Sequence, residues 1–285
     1  MRKGKRSSAS SCSVCGLTIP NIDRQTLARN LSLLGITSII TKLMVLFLTV
    51  SLFGSFVDLF DISVYFGYAA NVLNGQIPYV DFSIEYPFLF MIPVLIPLIP
   101  TVITNDPYAY VTGFQVLMAF FDILTLSLVY LIGLRLFDSK QAFRAALLYA
   151  TAFAASYFIL TKYDSFPTFL LVFGVFAAIY GMPARGYLAV VLGFFTKVFP
   201  LIAAPYLILF NAAKTSRKAE IVSLLKVAAG CSVILLIPMI FLVQDWYRPF
   251  LFATGTSVGV YANTVTHTLY NILNGLLHIP LSEDI

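Results

Sequence analysis

Seven apolar runs divide this chain, at about 34–57, 86–103, 110–134, 143–160, 166–181, 186–210 and 221–243. Each is to be set against the ~20 residues that a helix needs to cross the hydrocarbon core of a bilayer. The runs predict an all-α polytopic membrane protein. Of 285 residues, 59% are hydrophobic and 11% charged, with a mean hydropathy of +0.90; soluble domains carry about 25% charged residues. The start, MRKGKRSSASSCSVCG, is polar where a signal peptide would be apolar, so the first span is expected to stay as an anchor.

The net charge of +5, from 18 Lys and Arg against 13 acids, suits cytoplasmic loops and lipid headgroups. No continuous basic face suggests a nucleic-acid partner. Residues 1–30 are basic and Ser-rich and read as a loosely ordered cytoplasmic tail, leaving 31–285 as the membrane domain. Cys12 and Cys15 form one CxxC, half of a zinc site that needs two more ligands, and Cys231 stands alone in an apolar run.

Basic residues then fix the threading. Strict alternation from an inside N-terminus would put Arg135, Lys140 and Arg144 outside, against the positive-inside rule. The segment 86–103, interrupted by Pro87, Pro93, Pro97 and Pro100, is therefore expected to be re-entrant or membrane-lying. The run 186–210 has KVFP at its middle and is expected to be two short helices meeting near Lys197 and Pro200. In this scheme Arg185, Lys214, Arg217 and Lys218 are also cytoplasmic, and Lys162 is the exception. Asp58, Asp61, Asp81, Glu85, Lys162, Asp164, Lys197, Asp245, Arg248 and His267 then gather at the outer face from five segments.

Several of these residues carry two readings. Residues 61–75, with Ile62, Tyr65, Ala69 and Val72 on one face and Gly75 as a C-cap, predict a surface helix in the outer loop 58–86. Asp61 at its start is either an N-cap or a base able to take a proton from an acceptor hydroxyl. Asp164 and Ser165, ahead of Pro167, are either helix caps or site residues. Lys197 inside an apolar run costs on the order of 3 kcal/mol, so it either faces a polar partner or snorkels to the surface. Asp122 is expected to make a polar contact between helices. Arg248 suits phosphate, whereas His267 reads as structural and the aromatics at 246, 247, 261 and 270 suit an interfacial belt.

The run from Asp61 to Pro87, D-(x)3-Y-(x)9-G-Q-I-P-Y-(x)5-E-Y-P, resembles the first outer loop of GT-C membrane glycosyltransferases. It is most similar to GPI mannosyltransferase I and to polyprenol-phosphate-mannose-dependent mannosyltransferases. TKYDS (161–165) resembles the family's G-N-x-D-S, with Lys162 and Tyr163 in place of Gly-Asn, and TKVFP (196–200) resembles its K-(I/V)-(Y/F)-P. The resemblance implies a GT-C-like helix bundle with an outer-face surface helix and re-entrant segments, over about 60–275. It implies Asp61 as the catalytic base, with Asp58, Tyr79, Glu85, Tyr86, Asp164, Lys197 and Arg248 binding substrate. The family's D-x-D appears here as Asp58-Leu-Phe-Asp61, which leaves a divalent cation open.

The activity implied is inverting transfer of a sugar, in the first place mannose, from a polyprenyl-phosphate donor to a lipid or glycan acceptor. The sequence has no P-loop, GxSxG elbow, HExxH helix or Gly-rich nucleotide fingerprint, so soluble nucleotide-sugar chemistry is not expected. Two other classes stay open. A transporter or lipid flippase would use Asp122 and Lys197 as pathway charges, though the halves show no internal repeat. A non-catalytic subunit, or a chain incomplete at its C-terminal end, is the other, because the resembling enzymes continue through further spans.

Overall fold

Residues 11–14, 17–20, 22–52, 59–243, 246–247 and 249–250 are described by a computed structural model. Two short strands, β1 (Ser11–Val14) and β2 (Leu17–Pro20), pair antiparallel with Cys12 opposite Ile19. The helices are α1 (Arg24–Leu52), α2 (Phe60–Leu73), α3 (Met91–Leu95), α4 (Leu98–Thr104), α5 (Tyr108–Leu136) and α6 (Ser139–Ala150). They continue as α7 (Phe153–Thr161), α8 (Ser165–Ile179), α9 (Pro183–Phe194), α10 (Ala204–Ala212) and α11 (Arg217–Leu242).

Among the described residues, α1, α5 and α11 are each long and apolar enough to cross a membrane. A fourth crossing exists if α6 and α7, bent by 59° at Thr151 and Ala152, form one span. The apolar run 143–160 is thus a broken helix, and 166–181 becomes α8 with 15 residues, about 22 Å at 1.5 Å per residue. Apolar length overcounts straight spans here because the chain breaks its helices inside those runs.

The breaks follow local chemistry. Residues 88–104 form a 3-10 turn (Phe88–Phe90), α3 and α4 in succession, a short apolar helical segment with Pro97 at the junction of α3 and α4. The run 186–210 divides as expected into α9 and, after a 3-10 turn (Phe199–Ala203), α10, with Lys197 in the gap.

The N-terminal tail departs from its composition. Leu17-Thr18-Ile19-Pro20 pairs as a strand, and Ile19 and Ile22 are buried in the same cluster as Leu126, Tyr130 and Leu134 of α5. Asp23 accepts the Thr26 N–H at 3.0 Å, and these N–H bonds hold its carboxyl below the usual range. The first helix therefore starts at Arg24, inside the segment that charge and serine content mark as tail.

Helix α5 is the centre of packing and touches α1, α4, α6, α7 and α8. Helices α8 and α9 approach most closely at two glycines: a Cβ on Gly174 would stand 2.7 Å from Val190 Cγ2, and one on Gly186 would stand 2.9 Å from the Gly174 carbonyl oxygen. A buried ion pair joins α1 to α5. Lys42 Nζ lies 2.5 Å from Asp122 Oδ2 and 2.7 Å from Ser38 Oγ, while Tyr149 of α6 donates to Asp122 Oδ1 at 2.7 Å. Asp122 thus makes the interhelical contact its position predicts, and two other helices, α1 and α6, supply the partners.

Candidate functional site

Four segments that are remote in sequence meet at one end of the bundle. The first is the start of α2, whose apolar face buries Ile62, Tyr65 and Ala69. The helix ends at Asn74, and Gly75 takes φ +84°, the left-handed conformation that glycine adopts without strain. Leu59 occupies the N-cap position and cannot cap through its side chain. Asp61 lies within the first turn, so the capping role does not hold. Its Oδ2 is instead 2.8 Å from Lys162 Nζ, with the two side chains 27% and 25% exposed.

The second segment is the turn 77–88. Asp81 Oδ2 accepts the Ile77 N–H at 2.6 Å, and the Asp81 N–H donates back to the Ile77 carbonyl at 2.9 Å. Asp81 thereby closes the loop that returns the chain from α2. Tyr79, at φ 67°, donates its hydroxyl to the Tyr86 carbonyl at 2.8 Å, so it braces the turn. Beyond Pro87 the Leu89 N–H donates to the Phe195 carbonyl at 2.9 Å, which fastens the turn to the third segment, the α9–α10 gap.

The α7–α8 link, 162–164, is the fourth. Asp164 stands at the N-cap of α8 without a side-chain cap bond, which leaves its carboxylate to accept a hydrogen bond from Lys197. Tyr163 donates to the Thr196 carbonyl at 3.2 Å, and its ring centre lies 4.9 Å from Lys197 Nζ; that of Tyr86 is at 5.9 Å. Lys197 is therefore held by a carboxylate and two aromatic rings, which supply the polar partner that its position in an apolar run demands.

Beneath both ion pairs lies an aromatic floor. Tyr86 and Phe90 are 4.4 Å apart between ring centres, Phe90 and Tyr163 4.7 Å, Tyr86 and Tyr163 4.9 Å, and Tyr65 and Tyr163 5.8 Å. Burial first, and the Asp61 charge second, push the Glu85 carboxyl above its usual range. Burial pushes the Tyr86 hydroxyl up to about 12, with Asp61, Glu85 and Asp164 adding to the effect. Three carboxylates from three segments thus act on one tyrosine.

An apolar groove of about 320 Å³ lies between α1, α5 and α7. Val45, Leu46, Val111 and Leu160 line its depth, and Leu59 and Thr161 lie close in sequence to Asp61 and Lys162.

Of the residues singled out from sequence, Asp61, Glu85, Tyr86, Asp164 and Lys197 come together, and Tyr79 supports them. Asp58, Asp245, Arg248 and His267 lie outside the described residues. Lys162 was the residue to add: TKYDS departs from G-N-x-D-S at that lysine, which is the partner of Asp61.

Among the described residues no group of three or more His, Cys, Asp or Glu converges on a metal position. Asp61 and Asp164 are each matched by a lysine, so these donors do not fit a divalent cation. The side chains of Cys12 and Cys15 lie outside the described set.

No family model, curated protein or solved structure matches the chain.

Proposed function

We propose that the chain is a membrane glycosyltransferase that moves a sugar, in the first place mannose, from a polyprenyl-phosphate donor to a lipid or glycan hydroxyl at the extracytoplasmic face. The reading is supported chiefly by one juxtaposition: two lysine–carboxylate pairs meet over shared aromatic rings, and residues close in sequence to one of them, Leu59 and Thr161, line an apolar groove. The groove takes the tail, and the charged end takes phosphate and sugar. The order of motifs from Asp61 to Pro200 supports it independently.

In this mechanism Asp61 accepts the proton of the acceptor hydroxyl as its oxygen forms a bond to the anomeric carbon. The anomeric carbon–oxygen bond to phosphate breaks, and polyprenyl phosphate leaves with the electron pair. Attack from the face opposite the leaving group inverts the anomeric centre. Lys162 orients the Asp61 carboxylate. Lys197 shifts from Asp164 toward the phosphate and offsets its growing charge, the preorganised electrostatic contribution that dominates many active sites. Asp164 and Glu85 are then placed to accept hydrogen bonds from sugar hydroxyls.

Asp61→Asn keeps the shape and removes the base. Membranes carrying it should lose transfer of labelled mannose from polyprenyl phosphate by at least a hundredfold at equal protein level. Undiminished transfer would overturn the assignment. The buried Lys42–Asp122 pair favours a second reading, a transporter or flippase with intramembrane pathway charges. That reading requires solute or lipid movement which Asp122→Asn abolishes and Asp61→Asn spares.

A further inference from the structure

Lysines and arginines gather at the end of the bundle opposite the candidate site. Tyr180, at the end of α8, donates to the Leu131 carbonyl at 2.8 Å, one turn before Arg135 of α5. Gly133 packs on Ala142, which sets the start of α6, with Lys140 and Arg144, against the same turn. Tyr187, two residues after Arg185, donates to Glu220 Oε2 at 2.7 Å, which sets the start of α9 against the start of α11 with its Arg217 and Lys218. All six cations are exposed.

The acids at this end are occupied elsewhere. Asp23 and Asp138 accept N–H bonds at the starts of α1 and α6. Glu220 is buried, and its two oxygens accept from Tyr187 and Thr215. Among the described residues the ion pairs are Lys42–Asp122, Lys162–Asp61 and Lys197–Asp164, and none of them includes these six side chains.

Depth decides what can neutralise them. Phe114 of α5 packs in one cluster with Tyr65 and Tyr163, the rings under the candidate site. From Phe114 to Arg135 the helix rises about 32 Å at 1.5 Å per residue, close to the ~30 Å of a bilayer's hydrocarbon core. Exposed apolar surface begins one turn inward of the cations: Leu148 follows Arg144, Ile221 follows Arg217 and Val222 follows Lys218 at i, i+4, with exposures of 76%, 43% and 41%. Basic side chains succeeded along one helix face by exposed apolar ones stand at headgroup depth. A soluble polyanion would have to displace headgroups to reach them.

We infer that this basic end is a binding surface for anionic lipid headgroups, whose phosphates take the part that carboxylates play for Lys42, Lys162 and Lys197. The inference rests on helices α5 and α11 crossing a bilayer and not on the glycosyltransferase reading.

Spin-labelled lipids test it in phosphatidylcholine bilayers that hold the full-length protein, where electron paramagnetic resonance reads the share of each labelled lipid that is slowed at the protein surface. Labelled phosphatidylglycerol should associate about threefold more strongly than labelled phosphatidylcholine, and added sodium chloride should screen that ratio toward one. Lys140→Gln, Arg144→Gln, Arg217→Gln and Lys218→Gln, combined, should remove most of the preference. Inorganic phosphate should do no more than sodium chloride at the same ionic strength. A ratio of one in the unaltered protein at low salt would overturn the inference, whatever becomes of the variant. A preference that outlasts the four substitutions would place the anionic lipid elsewhere, and one that phosphate abolishes at matched ionic strength would make this a site for a free anion; either result overturns it too.

Discussion

Replacing Lys42 with methionine strands the Asp122 carboxylate inside the bundle. Lys42 is 4% exposed and Asp122 2%, so the pair belongs with buried ion pairs rather than with surface ones. Removing one member of such a pair costs about 3–5 kcal/mol, against 0–1 kcal/mol at a surface. Asp122 would keep the Tyr149 hydroxyl at 2.7 Å and Ser38 at 3.5 Å, the second at the limit of a hydrogen bond. Those partners put the loss near the lower figure, about 3 kcal/mol. Lys42→Met combined with Asp122→Asn removes both charges and retains an acceptor for Tyr149, so its loss should be about 1 kcal/mol. Thermal denaturation in detergent, followed by the fraction of monodisperse protein, reads the difference. At 2–4 °C per kcal/mol the single variant should lose about 6–12 °C, and the second change should restore most of it. Equal losses in the single and double variants would refute the claim that an isolated buried charge is what destabilises.

Further outcomes concern the helix packing and the site. Gly174→Ala brings a methyl group 2.7 Å from Val190 Cγ2, and overpacking of this kind should cost about 1–3 kcal/mol, visible as a lower denaturation midpoint. Gly67→Ala meets nothing within 4 Å inside α2 and should instead stabilise by roughly 0.5–1 kcal/mol. Glu85 holds its proton more tightly folded than unfolded, so its contribution to stability is present below the unfolded pKa and lost as pH rises through the folded one. Asp61→Asn removes the second cause of that shift and should move Glu85 titration to lower pH, as followed by its infrared carboxyl band. An unchanged or higher value would mean that Asp61 does not act on Glu85.

Much of the helix α2 region was legible because its cause is local. Ile62, Tyr65 and Ala69 recur at helical spacing and are buried, and Gly75 ends the helix where a left-handed residue is needed. Pro97 likewise marks the junction of α3 and α4, whereas Pro93 and Pro100 sit inside those helices. Lys42 was hidden for the opposite reason. It stands inside the run 34–57, where the cost that marks Lys197 and Asp122 applies equally, but its partner lies 80 residues away and no spacing announces it. Lys162 shows the same limit, since neither spacing nor periodicity announces an ion pair with Asp61 a hundred residues earlier. The tail misled because four alternating residues, 17–20, fold against α5 in a segment whose overall composition is that of a loose chain.

The bond from Leu89 N–H to the Phe195 carbonyl ties the turn 77–88 to the α9–α10 gap through main-chain atoms, while the α7–α8 link is fastened to the same gap by the Tyr163 side-chain hydroxyl on the Thr196 carbonyl. Helix α2, which carries Asp61, joins that frame through the short turn that Asp81 closes and through Ile62, Tyr65 and Ala69 buried beneath it. Side-chain replacement leaves the first tie in place, whereas replacing Tyr163 would free the second.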